Sequence, residues 1–141
     1  VMDAAVGCCS VAYSYCEADA TYGIITTARS LLVEAEAAAL GWISADAKAL
    51  YEAGIRASFG FQSMYHTGVS GVEEYIASEK VALSSDKETA LQQIVMQRFL
   101  AGFMTDGIES WSDWRRYNIP VLPMLPAHEI NMIDVYAVCR C

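Results

Sequence analysis

The sequence predicts an all-α fold: a helical hairpin packed on a long central helix, followed by an extended, proline-containing C-terminal tail. Three observations carry that prediction. Apolar residues recur at three- and four-residue steps through two consecutive segments. The run 94–104 is apolar almost all round, and Pro120, Pro123 and Pro126 forbid regular helix near the end.

Taken in chain order, Val11, Tyr13 and Tyr15 share one face of a possible short strand. From residue 24 the period becomes helical, with Ala28, Leu31, Leu32, Ala35, Ala39 and Trp42 on one face and Gly41 as the stop. Ser44 is the expected N-cap of the second helix, with Asp46 in its first turn. The apolar face of that helix reads Ala47, Leu50, Tyr51, Gly54, Ile55 and Ser58. So short a connection makes the two helices antiparallel neighbours, and the pair, residues 24–60, is about the length of one tetratricopeptide unit. Gly54 inside a helix costs about 1 kcal/mol relative to Ala, which signals a close backbone approach, expected from Ala35, Ala38 and Ala39.

Beyond Phe61 a loop leads to a capping box of Ser70 and Glu73 before a short helix over 72–78. Ser85 and Glu88 repeat the signature before the longest helix, about 86–104, whose second half should be buried and central. Asp106-Gly107 marks a turn into a last helix over 108–117 carrying Trp111 and Trp114. Residues 1–141 are read as one domain, with the ends 1–22 and 127–141 expected to be uncertain or poorly ordered.

Composition excludes several functions. At 55% hydrophobic and 18% charged, the chain either buries much of itself or packs against further protein. A net charge of −8, with nine Lys and Arg in no basic run, argues against nucleic acid as a partner. No stretch is long and apolar enough for a spanning helix, and Val1-Met2-Asp3 is no secretory leader, so the leader of an exported parent would lie outside this sequence. Cys8, Cys9, Cys16, Cys139 and Cys141 sit at the two ends in an odd number. A zinc site joining the ends lacks a matching C-x-x-C pair and a nearby His, so plain cysteines and no metal or other cofactor are expected.

Reactive groups form no catalytic frame. Ser58, Ser63, His66 and Asp86 have no nucleophile elbow around them, and His128-Glu129 lacks the second His of a zinc pair. Glu109 and Asp113, four apart on one helical face, have the residue types of a glycosidase pair, but the adjacent arginines would keep both ionised. Trp111, Trp114, Arg115 and Arg116 are the candidate ligand-binding residues. The indoles offer flat apolar faces to a sugar ring, and the guanidinium groups offer donors to its hydroxyls. The competing reading makes the tryptophans packing anchors and pairs the arginines with Glu109 and Asp113.

Three stretches in order resemble one family. Leu31-Leu32-Val33-Glu34-Ala35-Glu36-Ala37-Ala38-Ala39-Leu40-Gly41-Trp42 is similar to an L-x-A-E-A-A-L-x-G-W helix end. Ala47-Lys48-Ala49-Leu50-Tyr51-Glu52-Ala53-Gly54-Ile55-Arg56-Ala57-Ser58 is similar to A-x-x-Y-Y-E-x-G-I-R-A-S. Gln97-Arg98, Gly107, Glu109-Ser110-Trp111, Trp114-Arg115-Arg116 and Pro120 follow a Q-K…G-x-E-A-W-x-E-W-R-R-x-x-x-P pattern, and Pro126, Glu129 and Asn131 continue it as P-x-x-E-x-x-N. Together these resemble the C-terminal part of the SusD/RagB-like nutrient-binding outer-membrane lipoproteins. Arg29 departs from the pattern, where an acidic residue is usual, as do the cysteine-bearing ends. The resemblance implies a tetratricopeptide-like scaffold that is not an enzyme. It also implies a lipid anchor at the cell surface and delivery of an oligosaccharide or similar nutrient to a TonB-dependent transporter barrel. From the residues alone, a tetratricopeptide-like protein-interaction module is the alternative.

Overall fold

The structure is a computed structural model and describes residues 13–15, 17–66 and 68–122. Among the described residues five α-helices follow a 3₁₀ turn at Tyr13–Tyr15: α1 Thr27–Leu40, α2 Ala47–Gln62, α3 Val72–Ala77, α4 Lys87–Ala101 and α5 Gly107–Tyr117. The all-α prediction holds. The short strand does not: its described part, Tyr13–Tyr15, is the 3₁₀ turn, while Val11 and Ala12 lie outside the described residues. Ala and Ser add little strand propensity there, and within the described residues the segment is held by aromatic stacking of Tyr15 on Tyr65.

Each helix end has a local cause. The Thr26 hydroxyl accepts the Arg29 N–H at 3.2 Å to start α1. Gly41, at φ 82°, ends it by returning its N–H to the Ala37 and Ala38 carbonyls. That left-handed residue breaks the helical phase, so Trp42 is 71% exposed rather than on the buried face. Asp46, not Ser44, caps α2, its carboxylate accepting the N–H groups of Lys48 at 2.9 Å and Ala49 at 3.3 Å. A charged acceptor next to the helix N-terminus does this better than a hydroxyl two residues farther out.

The Ser70–Glu73 capping box does not form. Gly71 is the N-cap of α3 without a side-chain bond, because Glu73 is drawn to Arg56, which donates from Nε at 2.7 Å and Nη2 at 2.8 Å. Before α4 the cap is Asp86 rather than Ser85, with Thr89 donating both N–H and hydroxyl to it at 2.9 and 2.7 Å. α4 has 15 residues and α2 has 16, so the hairpin's second helix is the longer. Because α4 stops at Ala101, Phe103 and Met104 fall outside it and stand exposed.

α1 packs between α2 and α4. Its Ala28, Leu32 and Ala35 meet Tyr51 and Ile55 of α2 and Ile94 of α4 in one core that also takes Ile76, Val81 and Ala101. Each fully buried aliphatic side chain there contributes about 1.5–3 kcal/mol. Gly54 is the point of closest approach. A Cβ at that position would lie 2.7 Å from Leu32 Cγ and 3.4 Å from the Ala28 carbonyl. The neighbours are therefore Leu32 and Ala28, not the alanines nearer the end of α1, since the antiparallel register sets the middle of α2 against the first half of α1. Tyr51 is fully buried and donates its hydroxyl to the Val81 carbonyl at 2.8 Å, tying the 78–84 loop to the hairpin.

Candidate functional site

α5 carries the predicted ligand residues, and an ionic lock holds it against α1 and α4. Arg98, 2% exposed on α4, donates to Asp113 of α5 from Nε at 2.7 Å and Nη2 at 3.0 Å, and donates from Nη1 to Glu36 of α1. Glu36, itself 4% exposed, also accepts from Arg116 at 2.9 Å and from the Tyr117 hydroxyl. Arg29 completes the outer side, donating to Asp113 at 3.2 Å and Glu109 at 3.4 Å and lying 2.7 Å from Asp106. Helical periodicity buries both positions, but nothing local in the sequence pairs Glu36 with Arg98, 62 residues away.

The lock fixes charge states. Burial pushes the Glu36 carboxyl up, but hydrogen bonds from Tyr117 and Arg98 and the charges of Arg98 and Arg116 outweigh it, leaving the carboxyl below its ordinary value. For Arg98, burial opposes protonation, and the bonds and charges of Glu36 and Asp113 overcome it, raising its pKa. The Tyr117 hydroxyl is pushed up to about 12, first by burial and then by its bond to the Glu36 carboxylate.

These pairings correct one sequence expectation. Glu109 and Asp113 pair with Arg29 and Arg98, not with Arg115 and Arg116. Residues one and two apart on a helix do not face each other, so Arg115 points away from Asp113, and Arg116 is drawn across to Glu36. Arg29, which departs from the family pattern, is the residue that neutralises three α5-side carboxylates.

The four candidate residues divide between two hollows. Trp111, Arg115 and Arg116 line a shallow hollow of about 310 Å³ together with Ser112. Trp111 is 56% exposed, and the Arg115 guanidinium lies 4.9 Å from its ring centroid. Trp114 turns the other way. It is partly buried, donates its indole N–H to the Pro120 carbonyl at 3.1 Å, and lines an apolar pocket of about 430 Å³. Phe99, Leu100, Phe103 and Leu122 share that pocket, and Trp111 borders both hollows. Trp114 is thus partly buried and hydrogen-bonded, whereas Trp111 is more than half exposed.

The remaining reactive side chains are dispersed. Ser63 donates to the Gly60 carbonyl at 2.6 Å, Asp86 caps α4, and His66 packs edge-on to Tyr15, so these do not converge with Ser58. Sequence reasoning did not foresee the aromatic cluster of Tyr15, Phe61, Tyr65, His66 and Phe103, whose rings pack on one another. Among the described residues no group of three or more His, Cys, Asp or Glu is placed to hold a metal ion. All five cysteines and His128 lie outside the described residues.

Among curated proteins, none matches the chain. The family model described as "Starch-binding associating with outer membrane", SusD-like, matches residues 3–138. Among solved structures, a SusD homologue of Bacteroides fragilis is 33% identical with a TM-score of 0.66, covering 79% of this chain and 26% of its own. A second B. fragilis SusD homologue is 29% identical with a TM-score of 0.69, covering 77% and 26%. The Bacteroidetes AC2a SusD-like protein is 31% identical with a TM-score of 0.64, covering 72% and 20%. The chain therefore spans about a quarter of the length of these proteins or less, and by a family match over nearly all its residues it belongs to the SusD-like family.

Proposed function

We propose that the chain is part of a non-catalytic, surface-exposed nutrient-binding component of the outer membrane, which holds an oligosaccharide for a TonB-dependent transporter. Its ligand-facing surface is the hollow of Trp111, Ser112, Arg115 and Arg116. The single observation that carries this reading is Trp111: a large indole left more than half exposed beside a guanidinium, on a helix whose opposite side is locked in place. A flat apolar ring flanked by guanidinium donors suits a sugar's C–H face and hydroxyls. The family's description makes an α-glucan the ligand class to try first.

Two further features support binding without chemistry on a scaffold. Glu109 and Asp113 are both engaged by arginines, Arg29 and Arg98, rather than facing each other across an open cleft as a glycosidase pair does. The apolar face of the α1–α2 hairpin is covered by α4 rather than left as a groove, which favours the scaffold over a peptide-binding module. Among the described residues no helix is long and apolar enough to cross a membrane. Native electrophoresis through a starch-containing gel tests the proposal. Retardation of the chain that is lost in Trp111→Ala is expected, whereas migration indifferent to starch, or unaltered retardation in Trp111→Ala, refutes it.

A further inference from the structure

Charge is unevenly shared around α5. Four carboxylates, those of Glu36, Asp106, Glu109 and Asp113, lie where α5 meets α1 and α4, and Arg29, Arg98 and Arg116 take all of them. Arg115 has no carboxylate partner among the described residues, and its guanidinium rests against the exposed Trp111 ring instead. Arg116 is half exposed and spends Nη2 on Glu36, while its other N–H groups make no hydrogen bond among the described residues. Ser112, the remaining polar side chain of the hollow, gives its proton to the Ile108 carbonyl at 3.0 Å.

The side chains of the hollow therefore present two cationic sets of donors and a single acceptor oxygen, that of Ser112. A neutral sugar matches this set poorly. Each of its hydroxyls donates as well as accepts, and a guanidinium can accept nothing, so the hydroxyl protons must turn to water. A carboxylate only accepts, and it brings the charge that Arg115 is without. Guanidinium–carboxylate bonds are charge-assisted and can form in pairs, while the indole still receives the C–H face of the ring.

From this imbalance we propose that the hollow prefers an acidic glycan, one whose rings carry carboxylates as uronic acids do, to a neutral glycan of the same size. The inference rests on the reading of this hollow as the sugar-facing surface and narrows the class of sugar. Arg115 sets the preference, and Arg116, already tied to Glu36, adds its remaining donors. The net charge of −8 opposes an anion from a distance, but such repulsion is screened beyond about 8 Å at physiological salt. A preference for the acid therefore reports the two guanidinium groups and not the overall charge.

Trigalacturonic acid and its full methyl ester have the same rings and differ in charge, so titrating each into the whole chain at physiological salt is the direct test, read at the Trp111 indole N–H resonance. The acid is expected to bind about five- to tenfold more tightly than the ester, the worth of roughly one charge-assisted hydrogen bond at an exposed site. Arg115→Gln is expected to bring that ratio close to one. Equal affinity for the two forms, or tighter binding of the ester, overturns the acidic preference while leaving the hollow a sugar site. A preference that survives in Arg115→Gln overturns the role of Arg115. Binding of neither form overturns the inference, and the starch gel then decides separately whether the hollow holds sugar at all.

Discussion

Replacing Arg98 by Met probes what holds α5 to the rest of the molecule. Met keeps most of the length and apolar volume of the stem but removes a guanidinium that donates twice to Asp113 and once to Glu36. Two carboxylates, one 4% and the other 8% exposed, then lose their shared cation. Breaking a buried pair by deleting one partner typically costs about 3–5 kcal/mol, because a charge stays behind without compensation. Here Glu36 keeps Arg116 and Tyr117, and Asp113 keeps Arg29, so the lower end, about 3 kcal/mol, is expected. Against a typical total of about 5–15 kcal/mol, that is a visible shift in a urea transition. Adding Glu36→Gln to Arg98→Met should recover part of the loss, since one of the stranded charges is gone. A loss under about 1 kcal/mol for Arg98→Met would refute the reasoning, because that is how an exposed pair behaves.

Gly54→Leu should destabilise by about 1–3 kcal/mol in the same assay, since even a Cβ there collides with Leu32; an unchanged midpoint would contradict the hairpin packing. Trp111→Ala should leave folding within about 0.5 kcal/mol, and Trp114→Ala should cost more through the lost Pro120 bond and apolar contacts, which thermal melts compare directly. Stability should fall on acidification. Glu36 has a folded pKa below its ordinary value of 4.5, so its contribution is complete above that value and fades as the pH drops through the lower one. Glu36→Gln should flatten that acid limb. Tyr117, with a folded value of about 12 against an ordinary 10.0, contributes stability below pH 10.0 that is lost as the pH rises toward 12, and Tyr117→Phe should remove that alkaline loss.

What the sequence disclosed was local. Gly41 as a stop, Gly54 as a close contact and an acidic or hydroxyl cap before each long helix are set by residues within a turn of where they act. Choosing between Ser and Asp as the cap failed twice, because both types suit the position and the structure uses the one with the better-aimed carboxylate. The ionic lock was illegible for another reason. Glu36 and Arg98 are 62 residues apart, and their helical positions read as part of apolar faces until α1, α4 and α5 converge. The tryptophan pair was found but its members were not told apart. Helical spacing puts Trp111 and Trp114 on neighbouring faces, and only the return of the chain at Asn118 and Pro120 gives Trp114 a partner and leaves Trp111 open.

The central claim, that Trp111 marks the sugar-facing side of α5, is tested most directly by following the indole N–H resonances of the three tryptophans during a titration with a maltooligosaccharide. The account predicts a saturating shift of the Trp111 resonance, with Trp42 and Trp114 unmoved. A shift confined to Trp42 or Trp114, or no shift at any of the three, would contradict it.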